Sequence, residues 1–473
     1  MAGRRPNLLF IMTDHQRADS LGMFQAGVEV TPNLNRLASQ GTVFSRAYNT
    51  CPLCVPARTA LATGKYPTSN GVVFNDWQGL RAGDHKPIHQ YLAEAGYEVG
   101  HIGVHHIRVT PTLEERVAFA RWIDNGGYAR YFGQYLAENG MAQEPAGWRE
   151  AFRRDVLEYQ EGGFVPQRYS NTRTAVWPYP EEGFKDSYFC RQGVDFLRQR
   201  RDEPFALFVY LWAPHPPLRV PEPYASLFPP AEIELPANVG VPARGEPPGR
   251  RQGISAQLAE GISMAEWRKA WAAHLGLVRL ADAGLGRILR ALEGVGGTDS
   301  ADRERPSVVV FTVDHGDHLG QHCMYQKMEM YEQAIRVPLI VRVSGCKHRT
   351  FDVPVSHLDV MPTLFNLTGL QKPDDLDGIS LADALTSGAL PPERPVFCQY
   401  SGNPTVGDIR RTVITPRHKY TYTPGDAPEL YDLENDPSEM HNLGVDPAYA
   451  QLVQELHRQC EAWAERHGDW IEF

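Results

Sequence analysis

One short stretch of the sequence combines a nucleophile with a cation. It reads CPLCVPAR over residues 51–58. Pro56 favours a helix that starts here, which would place Cys54 at the helix N-terminus. Free backbone N–H groups and the helix dipole at that position favour an anion and lower the pKa of a thiol. If the helix begins at Cys54, Arg58 lies one turn later on the same face, and the pair suits a tetrahedral oxyanion. A buried structural cysteine beside a surface arginine is the alternative.

Three apolar segments end abruptly in acidic residues or histidine. LLFIMTDH ends in Asp14 and His15, VVVFTVDHGDH carries Asp314 and His315, and FALFVYLWAPH ends in His215. Polar groups at the carboxyl ends of parallel strands converge in space, and two aspartates with a histidine make a divalent cation site. Each aspartate could instead cap the turn that follows its strand. Two strand ends that both continue into histidine favour the site.

The elements that would position these residues alternate between strands and helices. Buried strands are predicted at Leu8–Met12, Phe205–Leu211, Val308–Val313 and Pro338–Val343, because these runs are short and apolar. Helices are predicted at Pro32–Ser39, Pro56–Thr63 and Met264–Leu292. The alternation predicts an α/β fold built on a mostly parallel sheet.

Two other regions have a different character. Residues 107–183 are irregular and rich in aromatic side chains, which fits either a covering subdomain or the wall of a substrate pocket. Residues 221–253 are rich in proline and glycine and predict a loop excursion. Beyond about residue 370 the pattern changes to short strands and a helix at Ala448–Arg466. We therefore predict a catalytic domain over 1–370, with 107–183 as a variable insertion, and a C-terminal subdomain over 371–473.

Composition excludes several classes of protein. A net charge of −10 with a pI near 5.9 gives no sign of a nucleic-acid partner. Seven scattered cysteines argue against a disulfide framework, and the single CxxC has no second pair to complete a zinc site. The apolar run Leu8–Met12 is too short for a signal sequence or a membrane span. The sequence thus predicts a cytoplasmic protein with no membrane partner.

The stretch from Cys54 to Arg58, followed by TGKYP at residues 63–67, resembles the sulfatase signature CxPxR…TGxYP. Further landmarks resemble sulfatases in the same order along nearly the whole chain. They are PNLLFIMTD (6–14), TPNLNRLA (31–38), APHPP (213–217), DHG (314–316) with Lys327, Tyr331 and Glu332, DVMPTL (359–364), HKY (418–420) and ELYDL (429–433). The resemblance implies a three-layer core like that of alkaline phosphatase, with a small C-terminal α+β subdomain built on a short antiparallel sheet.

The resemblance also implies a chemistry. The signature cysteine is oxidised to formylglycine by a separate maturation enzyme, and the aldehyde hydrates to a geminal diol. One hydroxyl attacks sulfur and displaces the alcohol, and the second then expels sulfate and restores the aldehyde. A divalent metal lowers the pKa of the diol, with calcium expected and manganese or magnesium as the other choices. The substrate would be a small-molecule sulfate ester.

Site residues follow from the resemblance by position. The implied metal ligands are Asp14, Asp314, His315 and the converted Cys54. The implied catalytic and substrate-binding residues are Arg58 at the diol, Lys327 at the sulfate oxygens, His215 at the leaving oxygen, His106 and Asn75. A loop-capping asparagine is nearly as good an interpretation of Asn75. His15 stands where many sulfatases have a second aspartate ligand, so its role is open.

One departure from the family pattern bears on the substrate. Many sulfatases carry GKxH, whereas residues 103–106 read GVHH, so His106 matches and Val104 replaces the lysine. Relatives that hydrolyse phosphonate monoesters and phosphodiesters also lack that lysine and use an Asp-His pair. Hydrolysis of those esters is therefore the alternative function. The sequence leaves the oligomeric state open, a homo-oligomer included.

Overall fold

The computed structural model describes residues 4–75, 79–160, 163–199, 201–294 and 305–473. Its strands are β1 Asn7–Thr13, β2 Phe24–Gln25, β3 Val28–Glu29, β4 Thr42–Tyr48, β5 Glu98–Gly103, β6 Arg121–Ile123, β7 Arg153–Gln160, β8 Gly163–Ser170, β9 Thr174–Val176, β10 Phe205–Tyr210, β11 Leu218–Val220, β12 Ser307–Val313, β13 Arg336–Val343, β14 Arg349–Phe351, β15 Val355–Ser356, β16 Val396–Tyr400, β17 Arg410–Ile414, β18 His418–Tyr422 and β19 Glu429–Asp432. Its helices are α1 Pro32–Gln40, α2 Cys54–Thr63, α3 Pro67–Asn70, α4 Ile88–Glu94, α5 Leu113–Arg116, α6 Asn125–Glu138, α7 Lys185–Leu197, α8 Ile254–Ala259, α9 Met264–Gly294, α10 Glu332–Ile335, α11 Val360–Thr368, α12 Ala382–Thr386 and α13 Ala450–Arg466.

The predicted strands come together in one large central sheet. Its order is β14-β4-β13-β12-β1-β10-β5-β6, with β15 also paired to β4. The four adjacent strands β12, β1, β10 and β5 run parallel to one another, and β1 and β10 are buried along their whole length. Burial on both faces explains why these segments read as continuous apolar runs. The prediction of a mostly parallel α/β sheet is confirmed.

One predicted strand runs against the others. The segment that contains Pro338–Val343 is strand β13, and it pairs antiparallel with both β12 and β4. Its apolar run could not reveal the direction, because a strand buried on both faces reads the same either way.

Helices cover both faces of the sheet. Side chains alternate along β10, so neighbouring residues face opposite layers. Phe208 lies against His89 of α4, with ring centroids 3.9 Å apart. The next residue, Val209, lies against Gly193 of α7 on the other side. Helix α9 packs with α7 and α1, whereas α2 packs with α4 and α11. The three-layer arrangement expected from the resemblance follows from these contacts.

The strand ends that carry the candidate ligands are joined by backbone hydrogen bonds. The N–H of Leu211 donates to the carbonyl of Met12 at 2.8 Å. The N–H of Asp14 is 3.5 Å from the carbonyl of Ala213, and that of Asp314 is 3.4 Å from the carbonyl of Thr13. Residues that follow β1, β10 and β12 therefore meet at one edge of the sheet, as the sequence predicts.

The aromatic segment at 107–183 is less irregular than predicted. It contains helix α6 and the two-stranded hairpin β7–β8. Several of its rings pack on one another, since Phe132 lies 5.6 Å from both Tyr128 and Trp177, and Tyr131 lies 5.9 Å from Tyr135. These contacts favour the covering-subdomain interpretation for this group of rings.

The C-terminal part contains the small antiparallel sheet expected there. Strands β16 to β19 follow one another in order. Helix α13, predicted at Ala448–Arg466, packs on β17 and β18 and buries Leu456, Cys460 and Trp463. Trp463 also contacts Tyr66, just after α2, with ring centroids 5.1 Å apart. Among the helices in the described part of the chain, none has both the length and the apolar character needed to cross a bilayer.

Candidate active site

Cys54 is the first residue of helix α2 and lies at the centre of a buried polar cluster. The helix begins two residues before the predicted start at Pro56, and all ten of its residues are buried. The sulfur of Cys54 is 2.8 Å from Nζ of Lys327, 3.2 Å from Nε2 of His315 and 3.8 Å from Oδ1 of Asp14. The helix start brings the predicted nucleophile to the predicted ligands.

Arg58 ties this helix to the two strand ends that carry aspartate. Its Nη2 donates to Oδ2 of Asp14 and its Nε to Oδ2 of Asp314, each at 2.8 Å. Its Nη1 donates to the carbonyl of Val104 at 2.5 Å. Arg58 is itself buried, so it is held by three acceptors in a place with little solvent. The alternative of a surface arginine beside a structural cysteine is wrong.

The two aspartates have opposite electrostatic surroundings. Burial and the charge of Asp314 raise the pKa of Asp14. Burial also opposes ionisation of Asp314, but the charges of Arg58, His315 and Lys327 outweigh it and lower the pKa of that carboxyl. Two carboxyl groups so close together cannot both ionise cheaply without a compensating cation. A divalent ion between them would provide that compensation.

The thiol of Cys54 does not have the lowered pKa that a helix N-terminus predicts. Burial and the neighbouring carboxylate of Asp14 raise its pKa to about 12. The helix N-terminus is too weak an influence to offset removal from water beside a negative charge. An unmodified Cys54 would therefore stay a neutral thiol and a poor nucleophile at neutral pH.

His315 and His15 each turn one ring nitrogen toward the cluster. Nδ1 of His315 is 3.1 Å from the carbonyl of Gly316, which leaves Nε2 facing Cys54. Nδ1 of His15 is 2.8 Å from Oδ2 of Asp317, which leaves its Nε2 on the same side, 3.9 Å from Asp14. Burial lowers the pKa of both rings, to about 3 for His315. Neutral imidazoles fixed in this way are suited to bind a metal ion.

The donor set fits a divalent cation. Ligand atoms of four buried residues all lie within 4.8 Å of one another, and the residues are Asp14, His15, Cys54 and His315. Oδ2 of Asp314 is 3.5 Å from Nε2 of His315 and so borders the same space. The ligands predicted from the sequence are thus brought together, and His15, left open there, joins them. Carboxylate oxygens beside imidazole nitrogens are typical of divalent metal sites.

Lys327 reaches the cluster from a loop. Its Nζ is 2.9 Å from Nε2 of His15 and 3.1 Å from Nε2 of His315. The residues on either side, Gln326 and Met328, have left-handed φ values of 68° and 82°. Such backbone is unfavourable for side-chain-bearing residues and persists only where its surroundings fix it. The loop therefore holds the ammonium group at the cluster at some conformational cost.

A row of rings extends from the cluster. The His215 ring lies 4.4 Å from that of His15 and 4.0 Å from that of Trp212. The ring of Trp212 also lies 5.9 Å from that of His106. Burial lowers the pKa of His215 and of His106 well below the usual range. His215 thus borders the ligands, and His106 lies near enough for the charge of Arg58 to act on it.

Asn75 contacts the helix of the nucleophile. Its Oδ1 accepts a hydrogen bond from the N–H of Val55 at 3.1 Å. This satisfies one of the free donors at the start of α2, as a capping side chain does. The capping interpretation of Asn75 is confirmed, and its contact with substrate stays a prediction.

Val104 stands in place of the family lysine, and the neighbouring His105 does not replace the lost charge. Val104 is buried and offers only its carbonyl, to Arg58. Nδ1 of His105 accepts the N–H of Ile107 at 3.0 Å, and its ring lies 5.4 Å from that of Trp122. Burial and the charge of Arg58 lower the pKa of His105 to about 4, so this ring is neutral at pH 7.

Two residues of the site were missed by the sequence interpretation. Asp317 fixes His15, and Trp212 contacts both His215 and His106. The repeated pattern DHGDH was the available signal for Asp317, since a second Asp-His pair follows the first. Trp212 carried no such signal, because a tryptophan after a buried strand is most often part of the core.

The family model described as Sulfatase matches residues 6–370. The chain belongs to the sulfatase family. A second model, described as the C-terminal part of N-sulphoglucosamine sulphohydrolase, matches residues 320–466. As a member of this family the protein is a sulfuric ester hydrolase.

Several relatives of this sulfatase span nearly its whole length. PehA of Trinickia caryophylli, a multifunctional alkaline phosphatase superfamily protein, is 28% identical over 98% of this chain and 96% of its own. The arylsulfatase of Clostridium perfringens is 26% identical over 96% of this chain and 93% of its own. Among solved structures, the phosphonate monoester hydrolase SpPMH from Silicibacter pomeroyi superposes with a TM-score of 0.79 at 24% identity, covering 98% of this chain and 96% of that one. This last match shows a shared fold.

Proposed function

We propose that this sulfatase hydrolyses sulfate monoesters with residue 54, converted to formylglycine, as its nucleophile. The observation that carries the proposal is the position of Cys54. It begins a buried helix with its sulfur 2.8 Å from Lys327 and 3.2 Å from His315, while Arg58 binds both aspartates from the next turn. A nucleophile, two cations and a metal-binding donor set in contact are what transfer of a sulfuryl group requires.

The proposed reaction has two steps at residue 54. In the first, one hydroxyl of the hydrated aldehyde attacks sulfur and the bond from sulfur to the alcohol oxygen breaks. The proton of the attacking hydroxyl leaves with the alcohol, and His215 is the group beside the cluster that would relay it. In the second, the bond from carbon to the sulfate oxygen breaks, the proton of the remaining hydroxyl leaves with the sulfate as hydrogen sulfate, and the aldehyde returns. Water then restores the diol.

The other site residues have proposed roles that follow their positions. Lys327 would bind the sulfate oxygens, since its ammonium lies against the sulfur of Cys54. Arg58 would hold the diol and keep the two aspartates apart from substrate. Asn75 would orient the start of α2, and His106 would line the pocket beside Trp212. Water is kept out because the residues around Cys54 are buried.

Asp14, Asp314, His315 and residue 54 would hold a divalent metal ion, with His15 as a further ligand. Such an ion, when bound, would lower the pKa of the attacking hydroxyl and neutralise charge on the ester. Two imidazole nitrogens beside carboxylates suit a divalent transition-metal ion, and of the ions considered only manganese is one, because calcium and magnesium are bound almost entirely by oxygen ligands. The donor set thus weighs against calcium, the ion expected from the resemblance.

A maturation enzyme is the proposed macromolecular partner. Cys54 as a residue is only 3% exposed, so an oxidising enzyme would need to reach it before the chain is fully folded. This partner is supported by the family's chemistry, in which a separate enzyme oxidises the signature cysteine to formylglycine. The burial of Cys54 supports the proposal that the oxidation precedes complete folding.

Hydrolysis of phosphonate monoesters or phosphodiesters is the second candidate function. It is favoured by the absence of a lysine at Val104 together with the position of His15, which Asp317 orients toward the cluster. The structural similarity to the phosphonate monoester hydrolase SpPMH agrees with this second function, but it shows only that the two proteins share a fold. Both reactions would use the same nucleophile and the same metal site.

Matched nitrophenyl esters test the proposal. We expect the matured enzyme to cleave the sulfate monoester with the highest kcat/KM and the phosphonate monoester and phosphodiester more slowly. The phosphate monoester should be clearly the worst, because it carries up to two charges and the pocket lacks one family cation. A phosphonate rate above the sulfate rate would make the second function the main one. A preference for the phosphate monoester would contradict the charge argument.

A further inference from the structure

Lys185 is a cation close to Trp212, near the candidate active site. It is the first residue of α7, and its Nζ lies over two aromatic rings, 4.9 Å from the centre of Trp212 and 5.6 Å from that of Tyr128. Within the described residues, its ammonium group makes no hydrogen bond and no ion pair with a carboxylate. Cation–π contacts stabilise an ammonium ion but do not neutralise it.

The position of Lys185 is unfavourable for a positive charge. The N-terminus of a helix repels cations, since the dipole and the free N–H groups there are positive. Oδ1 of the adjacent Asp186 accepts the N–H groups of Trp212 and Ala213 at 2.6 and 3.0 Å, and this carboxylate makes no hydrogen bond to the ammonium group within the described residues. Burial lowers the pKa of Lys185, although the charge of Asp186 acts in the opposite direction. The local structure therefore holds a cation that an anion from outside would stabilise.

Trp212 connects Lys185 to the reacting centre. The same indole that lies under the ammonium group packs on the ring of His215, 4.0 Å away. Because both contacts meet at one ring, Nζ of Lys185 lies within about 9 Å of the centre of the His215 ring. His215 is the group that we place at the leaving oxygen. Lys185 therefore lies on the side of the site that receives the alcohol, within reach of a distal group on an aryl or sugar-sized alcohol.

We propose that Lys185 binds a second anionic group, a carboxylate or a further sulfate, on the alcohol portion of the substrate. The preferred substrates would then be sulfate esters of acidic alcohols. This inference rests on the proposed function of the Cys54 site. The inference agrees with the lack of a lysine at Val104. That lysine would act on charge at the sulfate group, whereas the second charge proposed here is on the alcohol, several ångströms from sulfur. An anionic group of the substrate would accept a charge-assisted hydrogen bond from the partly buried ammonium of Lys185.

A matched pair of substrates tests the assignment. They are 4-(sulfooxy)benzoate and its neutral amide, 4-(sulfooxy)benzamide, each also used as the 3-isomer because a rigid ring fixes the direction of the carboxylate. The measured quantity is the ratio of kcat/KM for the acid to that for the amide. Taking the same ratio in each variant cancels differences in leaving-group acidity and in overall activity.

Three variants define the expected result. In Lys185→Met the ratio for at least one isomer pair should fall by about tenfold or more, the size expected for loss of a charge-assisted hydrogen bond, with the amide little affected. Lys185→Arg should retain most of the preference, since it keeps the charge. Arg191→Met is the matched control, because Arg191 is another cation of α7 and packs on the ring of Tyr131, 5.4 Å away. It should leave the ratio unchanged.

Binding to an inactive protein separates this inference from the proposed function. The same esters are titrated by calorimetry into the Cys54→Ala protein, with and without Lys185→Met. Tighter binding of the acid that depends on Lys185 would support the assignment even if no sulfate ester were turned over, an outcome that would contradict the proposed function alone. Equal ratios in wild type and Lys185→Met, in both binding and turnover, would overturn the assignment and leave the proposed function standing.

Discussion

Asp317 holds His15 by a contact of 2.8 Å between Oδ2 and Nδ1, and this contact decides which nitrogen of His15 faces Cys54. The carboxylate accepts the proton of Nδ1, so Nε2 keeps its lone pair on the side of the cluster. An acidic residue that acts through a histidine ligand commonly contributes to metal affinity. Asp317 is thus a positioning residue of the proposed metal site.

We expect Asp317→Asn to weaken metal binding by about 10- to 100-fold. The amide keeps the volume, and its oxygen can still accept the N–H groups of Leu319 and Gln326, which Oδ1 of Asp317 accepts at 3.0 Å. Its NH₂ group would instead donate to Nδ1 and move the ring proton to Nε2, which blocks the lone pair. Titration of the metal-free protein with manganese measures the affinity without any assay of activity.

Asp282→Asn is the control for that experiment. Asp282 is also a buried carboxylate, and it accepts backbone N–H groups from the start of helix α1. It lies outside the cluster around Cys54. Its variant should bind metal as wild type does, even if it is less stable. Unchanged affinity in Asp317→Asn would show that His15 is not a ligand or that Asp317 does not orient it.

Removal of a carboxylate ligand should have a larger effect. Asp14→Asn and Asp314→Asn should each lose bound metal and turnover together, with a decrease in affinity of at least about 100-fold, because each removes a negative charge that has no substitute. Elemental analysis of the purified proteins gives the metal content, and chelation followed by return of single ions identifies the ion. Full turnover after complete chelation would contradict the metal assignment.

The two neighbouring cysteines should behave differently. Cys54→Ala should abolish turnover, since it removes the nucleophile, whereas Cys51→Ala should keep most of it. Cys51 is equally buried and is therefore the matched control for loss of a thiol. Mass analysis of the tryptic peptide from enzyme made with the maturation enzyme should show the decrease that replacement of a thiol by an aldehyde produces at residue 54. Turnover by Cys54→Ala would exclude the mechanism.

Glu158 should make stability depend on pH. Its Oε2 accepts the hydroxyl of Tyr169 at 2.9 Å and its Oε1 the N–H of Asn403 at 3.1 Å. Burial raises its pKa from the usual 4.5 to about 7, so the folded state binds this proton more tightly than the unfolded state. Its contribution to stability is therefore fully present below pH 4.5 and is lost as the pH rises to about 7.

Glu158→Gln should remove that loss. We expect the Tm of the variant minus that of wild type to increase from pH 5 to pH 8, because only wild type must ionise a buried carboxyl over this range. The hairpin residue Asp155 is exposed, so Asp155→Asn is a control that should show no such trend. A difference in Tm that does not change with pH would mean that Glu158 titrates normally in the folded protein.

The sequence by itself determined the reactive groups and the strands that carry them. Apolar runs that end in Asp14, Asp314 and His215 predicted strand ends at one edge of a sheet, because parallel strands buried on both faces are continuously apolar and their carboxyl ends meet. The CxPxR pattern identified Cys54 and Arg58. These features are local, so a single stretch of residues contains all the information needed.

Tertiary structure alone decided how those groups face one another. The thiol pKa of Cys54 is raised rather than lowered, because the burial and the carboxylate that act on it come from other segments. The role of His15 depends on Asp317, which is 302 positions away in the sequence. The antiparallel direction of strand β13 cannot be predicted from the residues of the strand itself. Lys185 gains its significance only because it and His215 both contact the ring of Trp212. Distances, desolvation and charge coupling between remote segments are properties of the folded chain, since they depend on what the fold brings near and what water it removes.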